Sequence, residues 1–250
     1  MPFVLQSRQS GRNAPSGKIR VVSSGVGRPR ASGAAASKQD ARQALLGAAA
    51  ELFTAAGYTA TTTRAIAESA GLRQASLYYH FPAKEDILAA LLAETVRPSL
   101  DVAKVLVANP SPVPERLWAL SYSDIRLLGT ARHNLGALYL LPEVAAPNLA
   151  EFRAERAELK SAYRVLIAEL PGGPVPLGTL TDLVFGLVES IAIVRRDEPG
   201  LDVVAHARHG ADSVLRLAGL PTPDDELRRS ALTLLRPSNG SIRPPCMSLE

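Results

Sequence analysis

The sequence predicts an all-α protein in which an N-terminal three-helix helix-turn-helix domain is joined to a larger helical domain. Three observations carry this. Apolar residues recur at three- and four-residue spacing along most of the chain, the period of a helix face rather than the alternation of a strand. Glycine and proline punctuate those segments, at Gly57, Gly71, Pro82, Pro142, Pro147 and Pro199-Gly200 among others. Ala and Leu, both strong helix formers, dominate a composition that is 46% hydrophobic but only 5% aromatic.

Residues 1–37 read as a disordered basic arm. Up to Lys38 the chain carries seven Lys or Arg (Arg8, Arg12, Lys18, Arg20, Arg28, Arg30, Lys38) and no acid, with too little apolar sequence for a core. Of 28 basic residues, 21 remain against 24 acids over residues 39–250, a net of −3, so the arm holds all the positive excess. A solubilising tail and a DNA-directed arm both fit this composition.

A first helix is expected over about 38–56, opened by a Ser37–Asp40 capping pattern, carrying Leu45, Ala48, Leu52, Phe53 and Ala56 on one face and ended at Gly57. Thr61, Thr62 and Thr63 offer N-cap side chains for a short helix to Ala70, stopped by Gly71, and a second short helix runs from about Arg73 to His80. After Pro82, Lys84-Glu85-Asp86 opens a long helix through Ile87, Leu88, Leu91, Leu92 and Thr95, its acids suited to the positive end of the helix dipole. Pro98 is expected to kink or end it. Beyond a breaker cluster at 109–114, helices are expected at about 115–130, 133–141, 148–170, 177–197, 201–218 and 224–235, and residues 236–250 read as a disordered tail.

The strongest signal lies between Thr62 and Phe81. Ile66, Ala70, Leu72 and Leu77 sit at the offsets that pack the two helices of a helix-turn-helix, Ala67 is small where they cross, and Gly71 allows the tight turn. An ordinary helical hairpin offers the same Ala-x-x-x-Gly spacing. The flanks are more specific: Ala49-x-Glu51-Leu52-Phe53-x-x-x-Gly57-Tyr58, then Thr61-Thr-Thr-Arg-Ala-Ile-Ala67, Ala70-Gly-Leu72, and Ser76-Leu-Tyr-Tyr-His-Phe-Pro-Ala-Lys-Glu-Asp-Ile-Leu88. The segment Ala41 to Leu92 resembles the TetR family of bacterial transcription regulators; the rest of the chain carries no such likeness.

That resemblance implies that 38–95 is a DNA-binding domain whose second short helix enters the major groove, where base edges are distinguishable. It assigns base contact to Arg73, Gln74, Ala75, Ser76 and Tyr79, with Arg73 suited to guanine and Gln74 to adenine, and phosphate contact to Thr62, Thr63, Arg64, Tyr78 and Lys84. Leu77 and Phe81 are expected to face the core. Two departures stand out: Arg73 and Ala83 occupy helix-cap positions where the family commonly has Ser or Thr, each losing a cap worth about 1 kcal/mol. Residues 39–95 hold four bases against six acids, a net of −2, which phosphate neutralisation does not favour. The arm offsets this: Gly27-Arg28-Pro29-Arg30 resembles a minor-groove hook, making Arg28 and Arg30 candidate DNA contacts.

The resemblance further implies that residues 96–235 form a helical ligand-binding and dimerisation domain. The stretch Leu180 to Val194 is apolar on most sides, as a helix covered by its own core and by a partner subunit must be. The helix at 201–218, with Val203, Ala207, Gly210, Val214 and Leu217, is expected to complete a homodimer seam matching a palindromic double-stranded operator. Trp118, Tyr122, Arg126, His133, Asn134, Tyr139, Phe152, Tyr163, Phe185 and Glu189 are candidates to line a pocket for an unknown, moderately apolar small molecule. His206 and His209 stand one turn apart, but no Cys or carboxylate completes a metal site, and no cofactor is expected.

No run of about 20 apolar residues predicts a membrane span, and Met1 to Leu5 is too short for a signal-peptide core. A single cysteine, Cys246, excludes a disulfide framework, and a cytoplasmic protein is expected, in which Asn239-Gly240-Ser241 has no glycosylation role. The leading expectation is a homodimeric repressor released from a palindromic operator by a small molecule. A DNA-binding activator or ligand-independent binder is the alternative. A helical enzyme finds no catalytic triad, phosphate loop or paired carboxylates to support it.

Overall fold

A computed structural model describes residues 31–236, with side chains from Ser37 onward. The described residues form ten α-helices and no strand. The first three, α1 (Ala31–Ala55), α2 (Thr63–Ser69) and α3 (Gln74–His80), enclose a core of Leu45, Phe53, Ile66 and Leu77. Helix α1 begins seven residues before the expected start, so Ser37 is a helix-interior residue and not an N-cap. The alanines at 34–36 favour this extension, alanine being the strongest helix former.

Helix α4 (Lys84–Ala108) runs unbroken past Pro98 for 25 residues, joining both parts of the molecule. Of the kink or stop expected at Pro98, the stop does not occur. Thr95, Val96, Ser99, Leu100, Ala103 and Leu106 are buried on either side of it, and their packing offsets a proline cost of about 3 kcal/mol. The remaining helices are α5 (Val113–Thr130), α6 (Ala150–Ala168), α7 (Leu177–Glu189), α8 (Ile191–Asp197), α9 (Val203–Leu217) and α10 (Asp225–Leu234). They wrap α5, which is covered by α4, α6, α9 and α10.

Two expected helices differ. The segment at 133–141 forms a 3-10 turn, Leu135–Leu140, and two shorter ones follow at Pro142–Ala145 and Pro147–Leu149. Prolines at 142 and 147 supply no N–H donor, so no α-helical ladder can continue through them. The segment at 177–197 divides at Ser190, whose N–H contacts the carbonyls of both Gly186 and Leu187 and whose hydroxyl donates to the Leu187 carbonyl. Contrary to expectation, the 21-residue stretch Leu177–Asp197 is long and apolar enough to cross a membrane, with a mean hydropathy of 1.7 over an 18-residue window. Its break at Ser190, and the burial of Leu180, Val184, Phe185, Val188 and Ile191 against the other helices, give it the place of a core element.

Candidate nucleic-acid interface

The turn between α2 and α3 is built by local chemistry. Thr62 sits in extended conformation at the N-cap of α2 and its hydroxyl accepts the Ala65 N–H at 3.1 Å. At the other end Gly71 takes φ +68°, with the Gly71 N–H on the Glu68 carbonyl and the Leu72 N–H on the Ala67 carbonyl at 2.9 Å. This paired closure needs a left-handed residue, which glycine adopts without strain. Leu77 and Phe81 are buried, as expected, so the opposite face of α3 is turned outward.

That outward face carries the residues singled out from the sequence. Arg73, Gln74 and Ala75 are exposed and Ser76 partly so; Tyr78 is 48% and Tyr79 67% exposed. Two large aromatic side chains in water are unusual unless something covers them. Gln74 donates to the Thr63 hydroxyl at 3.3 Å, and the Thr63 and Tyr78 hydroxyls lie 3.1 Å apart, linking the start of α2 to α3. Arg64 pairs with Glu68 at 2.8 Å, both exposed, a weak pair that an anion can displace. Arg73 caps α3 without a side-chain hydrogen bond, leaving its guanidinium outside.

Three positions modify the expectation. Lys38 of α1 donates to the Tyr79 hydroxyl at 2.9 Å, which raises its pKa and brings a further cation to this face. Its membership in the basic arm hides that placement in the sequence. Lys84 has an inward role: its ammonium donates to the carbonyls of Tyr58 (2.9 Å) and Thr61 (3.0 Å) and lies 4.1 Å from the centre of the Tyr58 ring. It therefore clamps the start of α4 onto the loop before α2, with one N–H left for a phosphate. At Ala83 the lost cap is half restored, because Asp86 accepts the Ala83 N–H at 2.9 Å while its other oxygen accepts from Asn148 at 2.9 Å. Arg28 and Arg30 lie outside the described residues.

The expected pocket residues divide into three groups. Trp118, Tyr122 and Arg126 face away from the rest: the Trp118 indole donates to Asp212 at 2.8 Å and stacks on Tyr122, over which Arg126 lies. A satisfied indole buried between α5 and α9 is core, which corrects the pocket assignment of Trp118. His133 lines a cleft beside α1, its pKa lowered by burial and by the Arg132 guanidinium, and Asn134 donates to the Ala192 carbonyl at 2.7 Å. Only Tyr139, Phe152, Tyr163, Phe185 and Glu189 come together, between α4, α5, α6 and α7.

Around this last group lie polar residues that the sequence reading missed. Asp124 accepts from the Tyr163 hydroxyl at 2.7 Å, while its second oxygen is buried without a partner. Burial pushes its carboxyl up to about 6, against the pull of the Ser99 and Tyr163 hydroxyls. Arg156 forms a two-point ion pair with Glu189, and the Tyr139 and Thr95 hydroxyls meet at 2.5 Å. The space between them is only about 10 Å3, room for one water molecule. The available signal was Asp124 itself, an acid on the apolar stripe Leu117, Leu120, Leu128 of α5. Among the described residues no cluster of three His, Cys, Asp or Glu side chains is placed to hold a metal.

Residues 45–91 match the family model for bacterial regulatory proteins of the tetR family. Over 102 residues the chain is 41% identical to the transcriptional repressor KstR2 of Rhodococcus jostii, covering 41% of this chain and 50% of that one. It is 38% identical over 64 residues to the transcriptional regulator SrpR of Pseudomonas putida, covering 26% of this chain and 30% of the other. The matches thus span half or less of these curated relatives. The crystal structure of Mycobacterium smegmatis AmtR is 45% identical, covers 79% of this chain and 96% of its own, and superposes with a TM-score of 0.69. The tetR-family regulator PfmR of Thermus thermophilus shares the fold at 23% identity and a TM-score of 0.57.

Proposed function

The chain belongs to the tetR family of bacterial regulatory proteins, DNA-binding transcription regulators rather than enzymes, and we propose that it is a ligand-responsive repressor acting as a homodimer on a palindromic operator. The observation that carries this is the outward face of α3, where Arg73, Gln74, Ser76 and Tyr79 project from a helix whose other face is locked by Leu77. A helix so presented fits the major groove, with Arg73 placed to read guanine and Gln74 adenine. Thr62, Thr63, Arg64, Lys38 and Tyr78 supply phosphate contacts around it. An operator target puts its work in the cytoplasm.

Homodimerisation draws support from the apolar side chains that α7, α8 and α9 leave in water: Leu183 at 49%, Ile193 at 48%, Val204 at 44% and Leu217 at 36% exposure. The seam face expected for α9 needs correction. Ala207 and Val214 are fully buried within the protomer, and a Cβ on Gly210 would lie 2.6 Å from Ile125, so only Leu217 of that set faces outward. Two-fold pairing through the exposed set would give the dimer two α3 helices, the symmetry that a palindromic operator requires.

The test is fluorescence anisotropy with fragments of the chain's own promoter region, across a salt series. Specific binding that steepens with falling salt supports the reading, and no binding at low salt overturns it. Removing residues 1–30, which carry six of the seven leader cations, is expected to weaken binding and flatten the salt slope. An unchanged slope removes the arm from the interface.

A further inference from the structure

Helix α1 and the C-terminal bundle leave a cleft of about 270 Å3 between α1, α4, the end of α5 and the 3-10 turn that follows it. This space is distinct in kind from the closed one at Asp124. Leu46, Leu91, Leu127 and Leu135 form an apolar wall, while Glu94 of α4 and Arg132, just beyond α5, are exposed lining residues. Among the described residues, neither charge takes part in an ion pair within 4 Å, and the Arg42 guanidinium acts on Glu94 only from beyond that distance.

The sequence has a residue that makes this room. Gly47 lies in the interior of α1, where glycine is destabilising relative to alanine. Its backbone is not left-handed, and a Cβ added there would meet nothing within 4 Å. Gly129, Gly136 and Gly210 are different, because a Cβ at each would lie within 3 Å of a neighbouring side chain. Those three permit close packing; Gly47 permits space. Gly47 is exposed, and its open side borders the cleft at its edge.

We propose that this cleft binds a small zwitterion with an apolar tail, the chemistry of an apolar amino acid, its ammonium on Glu94, its carboxylate on Arg132 and its tail over Gly47. Two unpaired charges of opposite sign lining one cleft are matched together by a zwitterion, whereas an amine or an acid answers only one of them. The apolar wall accepts the tail, and a volume just under the roughly 300–1,000 Å3 of drug-sized pockets favours a compact molecule. An occupant touches α1 on one side and Thr95 on the other, and Thr95 also borders the Asp124 cavity. Its position between the DNA-reading helices and the bundle makes it an effector site, a consequence that rests on the operator reading above; binding itself does not.

The experiment uses the full chain with L-phenylalanine, phenethylamine and 3-phenylpropionate as probes, followed by thermal shift and calorimetry. L-Phenylalanine is expected to raise the melting temperature in a concentration-dependent way. The two single-charge analogues are expected to bind about tenfold more weakly, the loss of one charge-assisted contact. Glu94→Gln should weaken phenylalanine and phenethylamine but spare phenylpropionate, and Arg132→Gln should do the reverse for the two analogues. Gly47→Leu projects a bulky side chain into the cleft and should abolish binding of all three, with a wild-type circular dichroism spectrum showing that it folds; Gly47→Ala is the milder check. No binding of phenylalanine at millimolar concentration overturns the proposal. So does binding that Gly47→Leu leaves intact, or an analogue that binds as tightly as phenylalanine. Operator titration without any probe tests the operator reading separately. With saturating phenylalanine, a change of about threefold or more in operator affinity supports the effector role, and an unchanged affinity overturns it.

Discussion

The surface of α3 and the interior of the C-terminal bundle treat polar groups in opposite ways. On α3 and the neighbouring α2 the polar side chains stand in water, joined by long or exposed contacts such as Gln74 to Thr63 at 3.3 Å and Arg64 to Glu68. In the bundle they are tightly held and mostly buried: the buried Arg116 on the exposed Glu169 at 2.6 Å, Trp118 and the half-buried Arg228 on Asp212 at 2.8 Å each, Tyr163 on Asp124. Contacts of the first kind exchange readily for phosphate and base edges at little cost. Contacts of the second kind are expensive to break, because each partner left behind is desolvated and unpaired. Exposed polarity here is free to take new partners, and buried polarity fixes the packing of helices.

Breaking the buried side should have the largest effect. Asp212→Ala strands the Trp118 indole and the Arg228 guanidinium, and is expected to cost about 3–5 kcal/mol in urea denaturation while leaving the α3 surface unaltered. A loss below about 1 kcal/mol would place Asp212 with the exposed class instead.

Asp124 sharpens the comparison because its burial is incompletely compensated. Its folded pKa of about 6 lies above the ordinary carboxyl value of 3.8, so the folded state holds the proton more tightly than the unfolded chain. Stability from this group is therefore fully present below pH 3.8 and is lost as pH rises from there through about 6. Asp124→Asn should remove that dependence and stabilise the protein at pH 7.5 by about 2 kcal/mol. A pH profile between 4 and 7 that matches the parent's refutes it.

On the exposed side, Arg73→Ala is expected to leave the unfolding midpoint within experimental error and weaken operator binding by about tenfold or more, with relaxed preference at one guanine. A large change in the midpoint would show that Arg73 is structural. The smallest effect belongs to Gly47→Ala, which should stabilise the chain by about 0.5–1 kcal/mol, since the helix gains and the cleft offers no clash. A destabilised variant would mean that Gly47 packs more closely than its surroundings indicate.

The sequence by itself determined the helix-turn-helix. Thr62 as cap, Gly71 as left-handed turn, Leu77 and Phe81 as buried anchors and the outward set on α3 are consequences of chemistry within about twenty residues, where periodicity and turn geometry act directly. It also determined the all-α class and most helix ends, because proline and glycine act where they stand. Tertiary structure decided what those rules do not reach. Burial on both sides of Pro98 kept α4 whole. The face of α9 expected at a subunit seam went instead to α5. One list of pocket candidates separated into a core stack, a cleft wall and a closed polar cluster. Each of these depends on which neighbour a helix face meets, and that is settled by contacts between residues far apart in the chain, invisible to any local pattern.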